Sequence, residues 1–249
     1  MIKQTKALMG MPITVEIIDP KAKQEDVAAV FAYFNYVDKK FSTYKKNSEI
    51  SRINRGAINK ADYSLDMKTV MALSEEARKL SAGYFNILTP QGKYDPSGLV
   101  KGWGINNAAG ILLDRGFKNF YVEAGGDIQA CGNNAENKRW SVGIKNPFNQ
   151  KEIVKVVYIS NLGMATSGSY IRGQHIYNPN NPNSPITEIV SLSVIGPNVY
   201  EADRFATAAF AMGKEGVNFI EQMDGFEGYM IDKKGIATMT SGFEKFTIL

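Results

Sequence analysis

Apolar side chains change their spacing part-way along this 249-residue chain. That change limits the folds open to it. Over Glu25–Phe41, the residues Val27, Val30, Phe31, Phe34, Val37 and Phe41 return every three or four positions, the mark of an amphipathic helix. Met67–Leu80 repeats the pattern through Val70, Leu73, Ala77 and Leu80, with Gly83 just past its end. A third helix is predicted over about Val100–Leu113, stopped by Gly116. Beyond that glycine the period shortens. Asn119–Glu123, the alternating Trp140, Val142 and Ile144, Val156–Ser160, and the alternating Val190, Leu192 and Val194 read as strands. One more helix is expected over Glu201–Met212, and a hairpin over Gly228–Thr240 turning at Asp232–Gly235. Before the helices, a strand is expected within Leu8–Ile18. Helices and strands are therefore mixed, without the regular alternation of a doubly wound sheet. The fold class is α+β.

Composition narrows the function. Lys and Arg number 29 against 25 Asp and Glu, a surplus suited to an anionic ligand but too weak to argue for nucleic acid. The aromatic residues Phe31, Tyr33, Phe34, Tyr36, Phe41 and Tyr44 have no interleaved basic stripe, so they read as core before they read as a base-stacking platform. Cys131 is the only cysteine and His175 the only histidine. Any metal must then be held mainly by oxygen, which favours Mg²⁺, Mn²⁺ or Ca²⁺. No run approaches the roughly 18 apolar residues of a membrane span. The opening Met1–Lys6 lacks the features of a signal peptide, so the expectation is a cytoplasmic protein without a membrane anchor.

Four segments carry groups that suit chemistry. Asp203 and Thr207 lie four apart on a predicted helix, so one face offers two hard oxygens to a cation. A surface aspartate beside a threonine bonding into its own preceding turn is the simpler alternative, and spacing alone favours it. Gly125 and Gly126 let backbone N–H groups approach phosphate oxygens, or form a plain glycine turn. Ala165–Gly168 reads as a second such loop, whose hydroxyls on Thr166 and Ser167 and free amides suit a diphosphate. In Asp95–Gly102, Asp95 faces an N–H-rich ligand edge, the Gly98 carbonyl a metal and Lys101 an anion; an ordinary helix start is equally compatible. His175 borders a polar loop over Asn178–Pro185 and has a pKa range suited to proton transfer, although a lone histidine is more often structural.

Taken in order, these segments resemble the FAD:protein FMN transferases of the ApbE type, formerly called thiamine-biosynthesis lipoproteins. The matching stretches are Met9–Pro12, Phe41–Tyr44 with Ser48–Asn54, Gly83–Ile87, Asp95–Gly102 and Ala124–Asp127. Trp140–Pro147, Thr166–Tyr170, His175–Pro179 and Ala202–Thr207 with Gly213 follow. The resemblance implies one domain over residues 1–249, with two closely packed mixed subdomains around a flavin cleft and a T-fold-like strand pairing. It implies an enzyme that binds FAD and Mg²⁺ and moves FMN through its phosphate onto a Thr or Ser hydroxyl of an acceptor flavoprotein, releasing AMP. By match, the metal ligands fall on the Gly98 carbonyl, Asp203 and Thr207. The flavin contacts fall on Met9, Tyr44, Tyr84, Phe85, Asn86, Asp95 and Lys101, and Thr166 and Ser167 lie near the diphosphate. His175 takes the proton of the acceptor hydroxyl.

The chain departs from the family pattern at three places. Asn86 and Asn178 stand where aspartates are usual, each swap removing an anion and adding an amide donor. The stretch between Thr89 and Asp95 is far shorter than usual, which predicts a flavin site opened along one wall. Two alternatives stay compatible with the residues: a protein that binds FAD without transferring it, and a Mg²⁺-dependent FAD diphosphatase.

Overall fold

The computed structural model describes residues 1–169 and 176–248. Two strands open the chain, β1 (Ile2–Leu8) and β2 (Met11–Ile17), joined by Met9 and Gly10, both at positive φ. The helices α1 (Gln24–Phe41), α2 (Glu49–Ile53), α3 (Leu65–Leu80) and α4 (Ser97–Asp114) follow. Strands β3 (Phe120–Ala124), β4 (Asp127–Cys131), β5 (Trp140–Lys145), β6 (Ile153–Ile159), β7 (Leu162–Gly168) and β8 (Ile189–Gly196) come next. The chain ends with α5 (Val199–Ala211), α6 (Gly216–Glu221), β9 (Glu227–Asp232) and β10 (Ala237–Met239).

Eight strands form one antiparallel sheet in the order β1-β2-β3-β4-β7-β8-β9-β10, and β5 pairs with β6 in a separate ribbon. That ribbon is an excursion: β4 and β7, on either side of it in sequence, are neighbours in the sheet. Side chains alternate across a strand, and here both faces are covered. Ile13, Val15, Phe120 and Val122 pack against α1 and α4, while Ala165, Leu192, Val194 and Met230 pack against α5 and α6. On the reverse face, Ile128, Met164, Ile195 and Ile231 meet Trp140, Ile144, Val157 and Ile159 of the ribbon, together with Phe243.

The helical stripe of α1 is buried as its period requires. Its first turn is tied down by Asp26, whose carboxylate accepts from the Lys23 amide at 2.7 Å and from Arg115 Nη1 at 2.7 Å, just past the end of α4. α4 begins at Ser97, three residues before the predicted start. The hairpin expected over Gly228–Thr240 is β9–β10.

Ala165–Gly168 is a correction. It is not a loop but the second half of β7, paired with Ser191–Val194 of β8. Its small residues are there because α5 lies close against the strand: a Cβ on Gly163 would stand 1.9 Å from the Val199 amide nitrogen. Strand β1 was not foreseen, because its edge position leaves Lys3, Thr5 and Lys6 exposed and blurs the alternation.

Candidate active site

Helices α4 and α5 touch at a glycine. A Cβ on Gly102 would stand 2.6 Å from Asp203 Cβ and 2.7 Å from the Val199 carbonyl oxygen. Without one, the Gly102 amide reaches Asp203 and donates to Oδ2 at 2.7 Å. One turn further along α5, Thr207 Oγ1 donates to the Gly98 carbonyl at 3.3 Å. This is not the back-bond into the preceding turn that spacing alone favoured. Nor is Asp203 on the surface: it is 3% exposed. Gln129 Oε1 and Asn198 Oδ1 fix the start of α5 by accepting from the Val199 and Glu201 amides, at 2.8 and 2.9 Å.

A second carboxylate reaches the same place from the sheet. Gly125 and Gly126, at φ 60° and 101°, form the two-residue turn between β3 and β4, as the primed hairpin geometry requires. That turn delivers Asp127, which is 1% exposed. Asp127 Oδ1 accepts from the Thr166 amide at 3.0 Å, and Oδ2 pairs with Lys101 Nζ at 2.6 Å. Lys101 Nζ is also 3.6 Å from Asp203 Oδ1. Burial raises the Asp203 carboxyl well above the usual carboxylate range; Lys101 pulls it back down and Asp127 raises it again. The cluster is thus two buried carboxylates against one ammonium, with a carbonyl and a hydroxyl alongside. A shortfall of positive charge among hard oxygens is what a divalent cation fits. Among the described residues no three His, Cys, Asp or Glu side chains gather as a metal site, so the carbonyl and hydroxyl are needed to complete one.

Two expected phosphate contacts need correction. The Gly125 and Gly126 amides are already engaged, donating to the Pro12 carbonyl at 3.1 Å and to Glu123 Oε1 at 2.6 Å. On β7, alternation sends Thr166 and Ser167 to opposite faces. Ser167 shares the α5 side with Ala165, whereas Thr166 Oγ1 lies 2.8 Å from Ser193 Oγ. The Thr166 amide is not free either, since it holds Asp127.

A groove of about 520 Å³ is lined by Tyr44, Lys46, Arg55, Lys93, Tyr94 and Asp95 among others. Tyr44 is 98% exposed, offering a whole ring face. The short stretch after Thr89 lines this groove. It folds back on itself, with the Thr89 amide donating to the Lys93 carbonyl at 2.8 Å and Gly92 at φ 71°. Asn54 then clamps Tyr94, donating to its carbonyl and accepting from its amide, both at 2.8 Å. Phe85 is buried, its ring 3.5 Å from where a Gly98 Cβ would stand, while Tyr84 is half-buried and Asn86 exposed. Asn86 Oδ1 accepts from the Leu88 amide at 2.9 Å, and the Asp95 amide donates to the Ile87 carbonyl at 2.7 Å. Asn178 Oδ1 closes a turn on the Asn180 amide, and Asn180 Nδ2 reaches the Ala82 carbonyl at 3.2 Å, holding that loop against the end of α3.

The ApbE family model matches residues 9–92 and 88–230. The chain belongs to the ApbE family. A protein named FAD:protein FMN transferase from Haemophilus influenzae is 24% identical, the match covering 98% of this chain and 93% of that one. Its namesake from Escherichia coli K12 is 30% identical over 57% of this chain and 43% of its own. Among solved structures, the flavin transferase ApbE of Vibrio cholerae superposes with a TM-score of 0.86 at 22% identity, covering 98% of both chains. The ApbE protein of Thermotoga maritima gives 0.87 at 18%, covering 100% of this chain and 99% of that one. The α+β architecture is the one these ApbE structures share.

Within this ApbE chain, Gly98, Lys101, Asp203 and Thr207 converge at the α4–α5 contact. Met9, in the β1–β2 turn, packs against the core clusters on both sides of α4. His175 lies outside the described residues. Asp127 was named only as the end of a glycine motif, and its part in the cluster was missed. The available signal was an acid following a paired-glycine turn, the position from which a strand starts. Among the described residues, no helix is long and apolar enough to cross a membrane.

Proposed function

We propose that this chain transfers the FMN moiety of FAD onto a Thr or Ser hydroxyl of an acceptor flavoprotein, with Mg²⁺ and with release of AMP. The observation that carries the reading is the oxygen cluster at the α4–α5 contact, where the part-exposed Gly98 carbonyl and Thr207 join the buried Asp203 within a site one positive charge short. Those three groups would hold Mg²⁺. When bound, the cation neutralises diphosphate charge and activates the AMP phosphate as a leaving group.

The chain's own residues do the rest. Tyr44 and Tyr84 offer ring surface for the flavin, while the buried Phe85 backs the Gly98 end of α4. Asp95 accepts from an N–H-bearing ring edge, and Asn86 adds an amide to that end. Lys101 faces phosphate charge. The Gly125–Gly126 turn and the Thr166 amide serve to place Asp127 beside Lys101. The acceptor oxygen bonds to the FMN phosphorus while the bond from that phosphorus to the bridging oxygen breaks, so the bridging oxygen leaves with AMP. His175 takes the hydroxyl proton, and His175→Ala is expected to cost about 10²–10⁴ in rate.

The test is to incubate the chain with FAD and Mg²⁺, with and without a Thr-containing acceptor domain, and to follow AMP release and acceptor mass. An acceptor heavier by one FMN, only with Mg²⁺, is the expected result. AMP and free FMN with an unmodified acceptor would replace transfer with FAD hydrolysis. FAD bound with no AMP formed would leave a binding protein.

A further inference from the structure

The two oxygens of Asp203 have different tasks. Oδ2 is occupied by the Gly102 amide at 2.7 Å, so Oδ1 is the oxygen left for a cation. Lys101 Nζ stands 3.6 Å from that same Oδ1, too far for a hydrogen bond yet close enough to compete for it. What holds the ammonium back is Asp127, at 2.6 Å. Asp127 is well anchored for this: it begins β4 directly after a two-glycine turn, it is 1% exposed, and its other oxygen is fixed by the Thr166 amide. A lysine stem is flexible enough to cover a gap of this size. Of the two carboxylates, Asp127 is the one that pairs with Lys101 more closely.

We infer that Asp127 is a positioning residue that draws Lys101 away from Asp203 and so keeps Asp203 Oδ1 open to a divalent cation. The inference rests on the proposed reading of Asp203 as a cation ligand. With Asp127 neutralised, the half-buried ammonium still has Asp203 Oδ1 beside it at 3.6 Å. It closes onto Oδ1, and the cluster becomes one carboxylate against one ammonium. Cation affinity then falls for two reasons: a charge has been removed, and the ligand oxygen has been capped. Only the second depends on Lys101, which makes the two separable by a double-mutant cycle.

The experiment titrates the full chain with Mn²⁺, read by electron paramagnetic resonance and competed with Mg²⁺, and needs no turnover. Asp127→Asn keeps an oxygen for the Thr166 amide and removes the charge. It is expected to weaken Mn²⁺ binding at least about tenfold, as a pairwise coupling of ordinary size allows. In a Lys101→Met background the same substitution is expected to cost less than about threefold, since no ammonium remains to be released. Equal losses in both backgrounds would overturn the role of Asp127 and leave the cation site standing. No Mn²⁺ uptake by the unaltered chain would overturn the cation site and this inference together. Thermal melts of each variant exclude unfolding, and Asp127→Ser serves as the second variant if Asp127→Asn fails to fold.

Discussion

Two glycines of α4, at positions 102 and 110, receive the same substitution with opposite expected results. Alanine is favoured over glycine inside a helix by about 1 kcal/mol, whichever position is changed. At Gly110 an added Cβ meets nothing within 4 Å, so that gain is kept whole. For a chain of this size, 1 kcal/mol moves Tm by about 2–4 °C, and Gly110→Ala should rise by that amount. At Gly102 the new Cβ falls 2.6 Å from Asp203 Cβ and 2.7 Å from the Val199 carbonyl oxygen, where unstrained contacts lie near 3.5–4.0 Å. One of these neighbours is backbone and cannot rotate aside, so α5 itself must shift. Overpacking of that kind costs about 1–3 kcal/mol, and the backbone clash places it at the upper end. Set against the helix gain, the net loss is about 2 kcal/mol, or a Tm lower by about 4–8 °C. Thermal and urea melts on the two variants decide the matter. A Gly102→Ala protein as stable as its parent, or two variants shifted the same way, would refute the reasoning about the α4–α5 contact.

Other consequences follow from the same contacts. Asp203→Asn keeps an acceptor for the Gly102 amide and relieves a buried carboxylate of its like-charged neighbour; the metal-free melt should hold or rise while Mg²⁺-dependent AMP release is lost. Asn54→Ala removes both clamps on Tyr94; about 1–3 kcal/mol of stability should go with them, and KM for FAD should rise more than kcat falls. The Lys23 amide and then the Arg115 guanidinium hold Asp26 below the usual carboxylate range, so its stabilisation is present at neutral pH and disappears as pH falls through the folded pKa. Urea melts of the parent and Asp26→Asn should therefore converge in acid; a constant gap would contradict the assignment.

Much of the helical half was legible because its burial is one-sided. In α1 the residues at the periodic positions are the buried ones, so period and packing report the same thing. α2 has five residues, too few for a period to show. β7 misled for a physical reason: Gly163 and Ala165 are small because α5 presses on them, and small residues beside Thr, Ser and Gly resemble a loop. At the site, Asp203 and Thr207 were legible as a pair because one helix carries both. Asp127 was not, because its partners Lys101 and Asp203 lie far away along the chain and only the folded sheet brings them near.

The ribbon of β5 and β6 leaves the sheet after Cys131 and returns at Leu162, beside the place it left, for Ala130 pairs with Leu162. Its two ends are further stitched by the Gly132 amide donating to Asn161 Oδ1 and by Ser160 Oγ donating to the Gly132 carbonyl. The sheet is thus continuous without the thirty or so residues between. What the ribbon supplies is a cover for the reverse face, and its outer turns bear no part of the cation cluster. The turn at Asn146–Glu152 is a natural port for a fused reporter or an affinity handle, since a guest grafted there is tethered to a closed stem.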